Sequence, residues 1–207
     1  MAVMSKGKVG LLVIMAVVIL VIIVVIATLP PPHKVEYSYS FETDMQDWAP
    51  NGLDLDHSPP LNWSITRNES MAVDGDTSLR LYLENWNDKG KIWVERKFEM
   101  KSNQAYRITI QFTLATRDFG SVNHWTIITG ALASRPQSVD ELSPTYRDKT
   151  GNGHDSDVGY VWLEKAYSSD MRTGDDGSVW VLVGVWGTFE TPRTYFIDDV
   201  RITLTES

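Results

Sequence analysis

The stretch SVWVLVGVWGTF, residues 178–189, decides how this chain folds. Side chains alternate from face to face along an extended strand, so Val179, Val181, Val183 and Val185 fall on one side and Trp180, Leu182, Gly184 and Trp186 on the other. β-Branched and aromatic residues at this density favour a strand over a helix. Both faces are apolar. The strand is therefore either buried on two sides or lines a groove.

Outward from this segment, the same alternation recurs in short runs broken by Gly, Asp, Asn and Pro. It predicts strands at Glu36–Glu42, Leu61–Thr66, Ser78–Asn85, Lys91–Phe98, Ala105–Thr116, His124–Ala133, Val158–Lys165, Ser178–Phe189 and Thr194–Leu204. With no convincing amphipathic helix, this pattern predicts an all-β domain, an antiparallel jelly-roll β-sandwich or a close relative of one. Tyr106, Ile108, Ile110, Phe112 and Leu114 share one parity, as do Phe196, Val200, Ile202 and Leu204, and both sets are expected in the core. Residues 45–61 and 134–157 read as irregular.

Before this domain lies VGLLVIMAVVILVIIVVIATL, residues 9–29, with no charged side chain. At 1.5 Å per residue it is long enough to cross a hydrocarbon core of about 30 Å. Lys6 and Lys8 precede it and no basic residue follows until Lys34, which places residues 1–8 in the cytoplasm and the rest outside the cell membrane. A cleaved signal peptide is the competing reading, with Val25-Ile26-Ala27 as its processing site, although the apolar run exceeds a typical signal core. Pro30, Pro31 and Pro32 end any helix, so residues 30–35 form a stiff linker to a domain over 36–207.

Composition narrows the function classes. The chain carries 19 Lys and Arg against 27 Asp and Glu, a net charge of −8. Such a surface repels phosphate backbones and argues against nucleic acid as a partner. With no cysteine, there are no disulfides, cysteine nucleophiles or thiolate metal sites. An extracytoplasmic domain without them is more usual of a prokaryotic surface protein than of an animal ectodomain.

Several segments together carry a family likeness. Phe41-Glu42 closes the first strand with Trp48 shortly after, and Asp74-Gly75-Asp76-Thr77-Ser78-Leu79 leads into a strand. Tyr106-Arg107-Ile108-Thr109-Ile110-Gln111-Phe112 forms a central strand, and Tyr195-Phe196-Ile197-Asp198-Asp199-Val200 closes the domain. Over residues 36–204 this order resembles the jelly-roll carbohydrate-binding modules of the galactose-binding-like superfamily. The resemblance implies a structural calcium ion held by Glu42 and Asp198. Beside it stands a physical argument: Asp198 shares parity with Val200 and Ile202, and an inward carboxylate needs a cation or good hydrogen bonds. The alternative is that Asp198 caps backbone N–H groups at the rim or pairs with an arginine.

Sugar sites on β-sandwiches combine flat aromatic rings, which cover the apolar faces of pyranoses, with polar side chains that bind hydroxyls. Trp162, Trp180 and Trp186, with Tyr160 as a further platform, are the candidates for a glycan groove. Gln111, with Thr109, is the candidate for polar contacts. The competing reading makes these rings core or rim residues.

Other constellations weigh less. The run DKTGNGHDSD, residues 148–157, is rich in oxygen ligands but matches no calcium-loop pattern. His33, His57, His124 and His154 are scattered, with no zinc spacing. There is no nucleophile-elbow motif and no strand cluster of paired carboxylates, so an enzyme is not expected. Asn62-Trp63-Ser64 and Asn68-Glu69-Ser70 are glycosylation sequons at Asn62 and Asn68. The reading is a membrane-anchored cell-surface module that binds carbohydrate. The alternatives are a structural or adhesion subunit of the cell envelope that binds protein neighbours and, below it, a glycan-active hydrolase.

Overall fold

The computed structural model describes residues 32–56, 58–86, 88–117, 125–142, 146–149, 160–187 and 192–207, together with Met15 and residues 17–19. The chain divides into two units, residues 1–33 and 34–207. In the first, Met15, Val17, Val18 and Ile19 are helical and exposed. Among the described residues no helix is long and apolar enough to cross a membrane. The remainder of the expected span 9–29 lies outside them.

The second unit is built from strands alone among its described regular elements: β1 (Lys34–Tyr39), β2 (Ala49–Leu53), β3 (Trp63–Asn68), β4 (Ser78–Glu84), β5 (Lys91–Glu99), β6 (Ala105–Arg117), β7 (Trp125–Leu132), β8 (Tyr146–Lys149), β9 (Tyr160–Arg172), β10 (Ser178–Gly187) and β11 (Pro192–Glu206). They form two antiparallel sheets. Sheet A runs β3-β4-β11-β6-β9, with β1 also paired to β11, and sheet B runs β2-β5-β10-β7-β8. Val179, Val181, Val183 and Val185 of β10 join one buried cluster with Leu81 of β4, Ile108 and Ile110 of β6, and Ile202 of β11. One core therefore lies between the sheets, and the alternation along β10 and β6 assigns its inner faces correctly.

Two strands escape the sequence pattern. β2 reads APNGL and β8 reads YRDK, and they are the two edges of sheet B. An edge strand pairs on one side only, so it can hold Pro50, and runs of 5 and 4 residues are too short for alternation to stand out. The expected strand ending at Lys165 runs on as β9 to Arg172, paired with β6 throughout.

The last strand holds a correction. Asp198 pairs with Thr113 and Arg201 with Gln111, so three steps on β11 match two on β6. This β-bulge, with Asp199 at φ 48°, inserts one extra residue and reverses the parity. Before the bulge the core residues are Tyr195 and Ile197, and after it Val200, Ile202 and Leu204. Phe196 is buried as expected, at 4% exposure, but rather than lying between the sheets it pairs with Ala115 on the outer face of sheet A. There it is covered edge-on by Tyr160, ring centroids 5.2 Å apart. Asp198 likewise shares its face with Arg201 rather than with Ile202.

Candidate functional site

The residues expected to form one aromatic groove lie on two sheets. Trp180 and Trp186 belong to β10 in sheet B, while Tyr160 and Trp162 belong to β9 in sheet A, and all four are half-buried. The core fills the space between the sheets, so no single groove holds the three tryptophans. Gln111, on β6, goes with Tyr160 and Trp162.

The outer face of sheet B is closed over. Trp93, Ile128, Leu132, Leu142 and Leu182 form a second buried apolar cluster, with Leu53 and Trp186 packed against it. Leu142 comes from the segment after β7, which turns back over the sheet. Arg135 of that segment pairs with Glu95, a carboxylate that also accepts from Trp93 Nε1 (2.9 Å) and Asn51 Nδ2 (3.1 Å). The Arg135 guanidinium stands 5.7 Å from the Trp180 ring centroid. Trp186 donates from Nε1 to the Asp88 carbonyl at 3.0 Å and carries the Lys91 ammonium 4.5 Å from its ring centroid. Lys91 is itself paired with Asp54 at 2.5 Å. Gly184 makes this packing possible, because a Cβ there would come within 2.4 Å of Trp93 Cα. Strand β10 is thus buried on both sides.

Among the described residues the outer face of sheet A is open in part: Gln111, Glu164, Ala166 and Arg201 are exposed, whereas Thr113, Ala115 and Phe196 are buried. Register places Trp162 beside Ala115, Glu164 beside Thr113 and Ala166 beside Gln111, with Arg201 on the far side of Gln111. A cleft of about 410 Å³ is lined here by residues that include Val73, Gln111, Thr113, Glu164, Asp199 and Arg201. That volume lies within the range of small-molecule sites. Ala166 leaves the floor low, and the bulge turns Asp199 and Arg201 to one wall. Arg201 is fixed there by two bonds to Asp199, Nε–Oδ1 3.0 Å and Nη2–Oδ2 2.9 Å. Trp162 stands beside the cleft, two residues from Glu164 and so ~7 Å along the strand. Val73, bound through its N–H by Asp198 of β11, lines the same side of the cleft as Asp199 and Arg201 and is 49% exposed.

Val73 and the loop it opens are held by the two acidic residues expected to bind metal, Val73 itself by Asp198. Asp198 is fully buried; its Oδ2 accepts the N–H groups of Val73 (2.7 Å) and Asp74 (3.0 Å), and its Oδ1 accepts that of Asp199 (2.8 Å). Burial raises its pKa above the ordinary carboxylate value, against the lowering effect of those three bonds. Glu42 Oε1 accepts from Asp76 (3.1 Å) and Thr77 (3.0 Å). The two carboxylates thus buckle one loop, residues 73–77, at the seam where β11 changes partner from β4 to β1. Asp198 caps backbone N–H groups, the alternative that its position in the closing strand left open. Sequence reasoning missed Arg201, because its place in the cleft depends on which strands become neighbours and on the bulge before it. Asn62 is exposed, and Asn68 Oδ1 accepts the Ser70 N–H at 2.8 Å. His57, His124, His154 and residues 150–157 lie outside the described residues. Among those described, no three His, Asp or Glu side chains group as a metal site would need.

No family model and no curated protein matches the chain. Among solved structures it is similar to the K3 cleaved adhesin domain of Lys-gingipain from Porphyromonas gingivalis W83, at 10% identity and a TM-score of 0.53, covering 83% of this chain and 99% of that one. It is also similar to the CBM22-1 xylan-binding domain of Paenibacillus barcinonensis Xyn10C (15% identity, TM-score 0.43, 87% and 99% covered). A further match is TmCBM61 in complex with β-1,4-galactotriose (14% identity, TM-score 0.41, 79% and 92% covered). Structural neighbours of the domain thus include carbohydrate-binding modules. The likeness to the K3 domain is one of fold.

Proposed function

We propose that this protein is a non-catalytic, jelly-roll carbohydrate-binding module displayed outside the cell membrane on a single N-terminal span, and that its ligand lies on the outer face of sheet A. One observation carries the reading: the exposed side chains of Gln111, Glu164 and Arg201 meet at one cleft on the outer face of sheet A, two residues along β9 from half-buried Trp162. Amide, carboxylate and guanidinium groups supply both donors and acceptors for sugar hydroxyls. The neighbouring indole suits the apolar C–H face of a pyranose. Arg201 and Asp199 neutralise each other and Glu164 leaves the outer-face lining net negative, so the cleft favours an uncharged glycan over a polyanionic one.

The test is a binding screen of the full chain against neutral and acidic oligosaccharides, repeated with Trp162→Ala and Gln111→Ala. Neutral glycans should bind, and both substitutions should weaken them. Binding that survives both substitutions, or none at all across the screen, would sink this reading and leave the adhesion subunit as the better one.

A further inference from the structure

The resemblance puts a calcium ion at Glu42 and Asp198, and calcium takes six to eight oxygens directed at one point. The described carboxylate contacts go elsewhere. Asp198 accepts three backbone N–H groups and Glu42 accepts two. Glu42 also presses so closely on the loop that a Cβ at Gly75, where φ is 72°, would lie 2.4 Å from its Oε1. The carboxylates therefore act as acceptors for N–H groups, which a metal would have to displace.

The neutral oxygens of the seam converge on Arg67 instead. Its Nε donates to the Phe41 carbonyl at 2.6 Å, and its Nη2 donates to the Glu42 carbonyl and to Thr77 Oγ1, the last at 3.4 Å. Successive carbonyls point to opposite sides of an extended strand. Those of residues 41 and 42 meet at one group because the chain has left strand geometry, with Phe41 at φ 60° and a bend at Glu42. Two carbonyls and a hydroxyl are ligands that calcium accepts. A planar guanidinium with five fixed donors takes the same set and carries its charge permanently. We propose that the guanidinium of Arg67 is the resident cation of this seam and that the domain holds its fold without calcium.

The experiment is thermal unfolding of the full chain, solubilised in mild detergent, in excess chelator and in millimolar calcium. The wild type should melt at the same temperature in both. A resident ion held at about a hundred times its Kd would separate the two melts by about 5–10 °C, and that separation would overturn the proposal. Arg67→Met should lower Tm by several degrees in chelator, whereas an unchanged Tm would show that the guanidinium holds nothing there. Should the methionine variant fail to fold, Arg67→Lys, which keeps the charge but not the fork, is read in the same way.

Discussion

Asp198→Ala tests how the closing strand positions the cleft wall. The substitution removes the acceptor of three N–H groups, those of Val73, Asp74 and Asp199 at 2.7, 3.0 and 2.8 Å. A buried N–H left without an acceptor costs ~1–3 kcal/mol. Val73 and Asp74 are exposed, so water can reach their freed amides, and the lower bound applies to each, ~3 kcal/mol in all. Against this stands the relief of a carboxylate whose burial already raises its pKa. A net loss of ~2 kcal/mol at neutral pH follows, or a fall of about 4–8 °C in Tm. The pH dependence has a definite sign. Because the folded pKa lies above the unfolded one, the native state holds the proton through the interval between them. The group's contribution is full below the unfolded pKa and is lost as pH rises through the folded pKa. The stability gap between wild type and Asp198→Ala should therefore narrow with rising pH across that interval. Hydrogen exchange should show the amides of residues 73, 74 and 199 losing protection together. A gap that widens with pH, or amides that stay protected, would refute the reasoning.

Other substitutions probe the opposite sheet and the surface. Gly184→Ala places a methyl against backbone rather than against a flexible side chain, 2.2 Å from the Ile92 carbonyl. It should cost toward the upper end of the ~1–3 kcal/mol typical of overpacking, and a denaturation midpoint equal to wild type would contradict the packing of Trp93 over Gly184. Arg135→Ala strips the buried Glu95 of its cation while leaving the bonds from Trp93 and Asn51. The loss should be ~1–3 kcal/mol, below that for a buried charge left with no partner, and a melting curve that does not move would show that the segment after β7 is not pinned there. Arg107 grips Asp170 with two bonds of 2.9 and 3.0 Å on an exposed edge, and its hydrogen bond holds the Asp170 carboxyl below the ordinary range. Arg107→Ala should return Asp170 to that range in a carboxyl NMR titration and lower Tm only slightly at neutral pH, the small linked loss expected of a solvated pair. A large drop in Tm would mean that the pair holds β9 to β6.

How far the structure was legible in the sequence depends on whether each feature is local. The strict alternation of β6 and β10 reports burial directly, so their core faces could be assigned residue by residue. The bulge at Asp198–Asp199 could not be foreseen, because an extra residue leaves the apolar spacing beyond it intact and only its partner strand reveals the slip. That slip moved Phe196 to the outer face of sheet A and put Asp198 and Arg201 on one face. β2 and β8 carry no periodic signal because runs of 5 and 4 residues are too short for alternation to stand out. The two-sided apolar character of residues 178–189 correctly posed burial against a groove. Which it was depended on Leu142 and Arg135, some forty residues earlier in the chain. The split of Trp162 from Trp180 and Trp186 is a matter of sheet membership, which spacing along one strand does not encode. Arg67 reads as an ordinary residue of a polar strand until the turn after β1 brings two carbonyls to it.

The central claim is that the ligand face is the outer side of sheet A. It is tested most directly by following the indole N–H resonances of the tryptophans by NMR while a neutral oligosaccharide that binds is titrated in. The Trp162 signal should move, with the backbone amides of Gln111, Thr113 and Glu164, while those of Trp93, Trp180 and Trp186 stay in place. Movement of Trp180 and Trp186 with Trp162 at rest would place the ligand on sheet B and contradict the account.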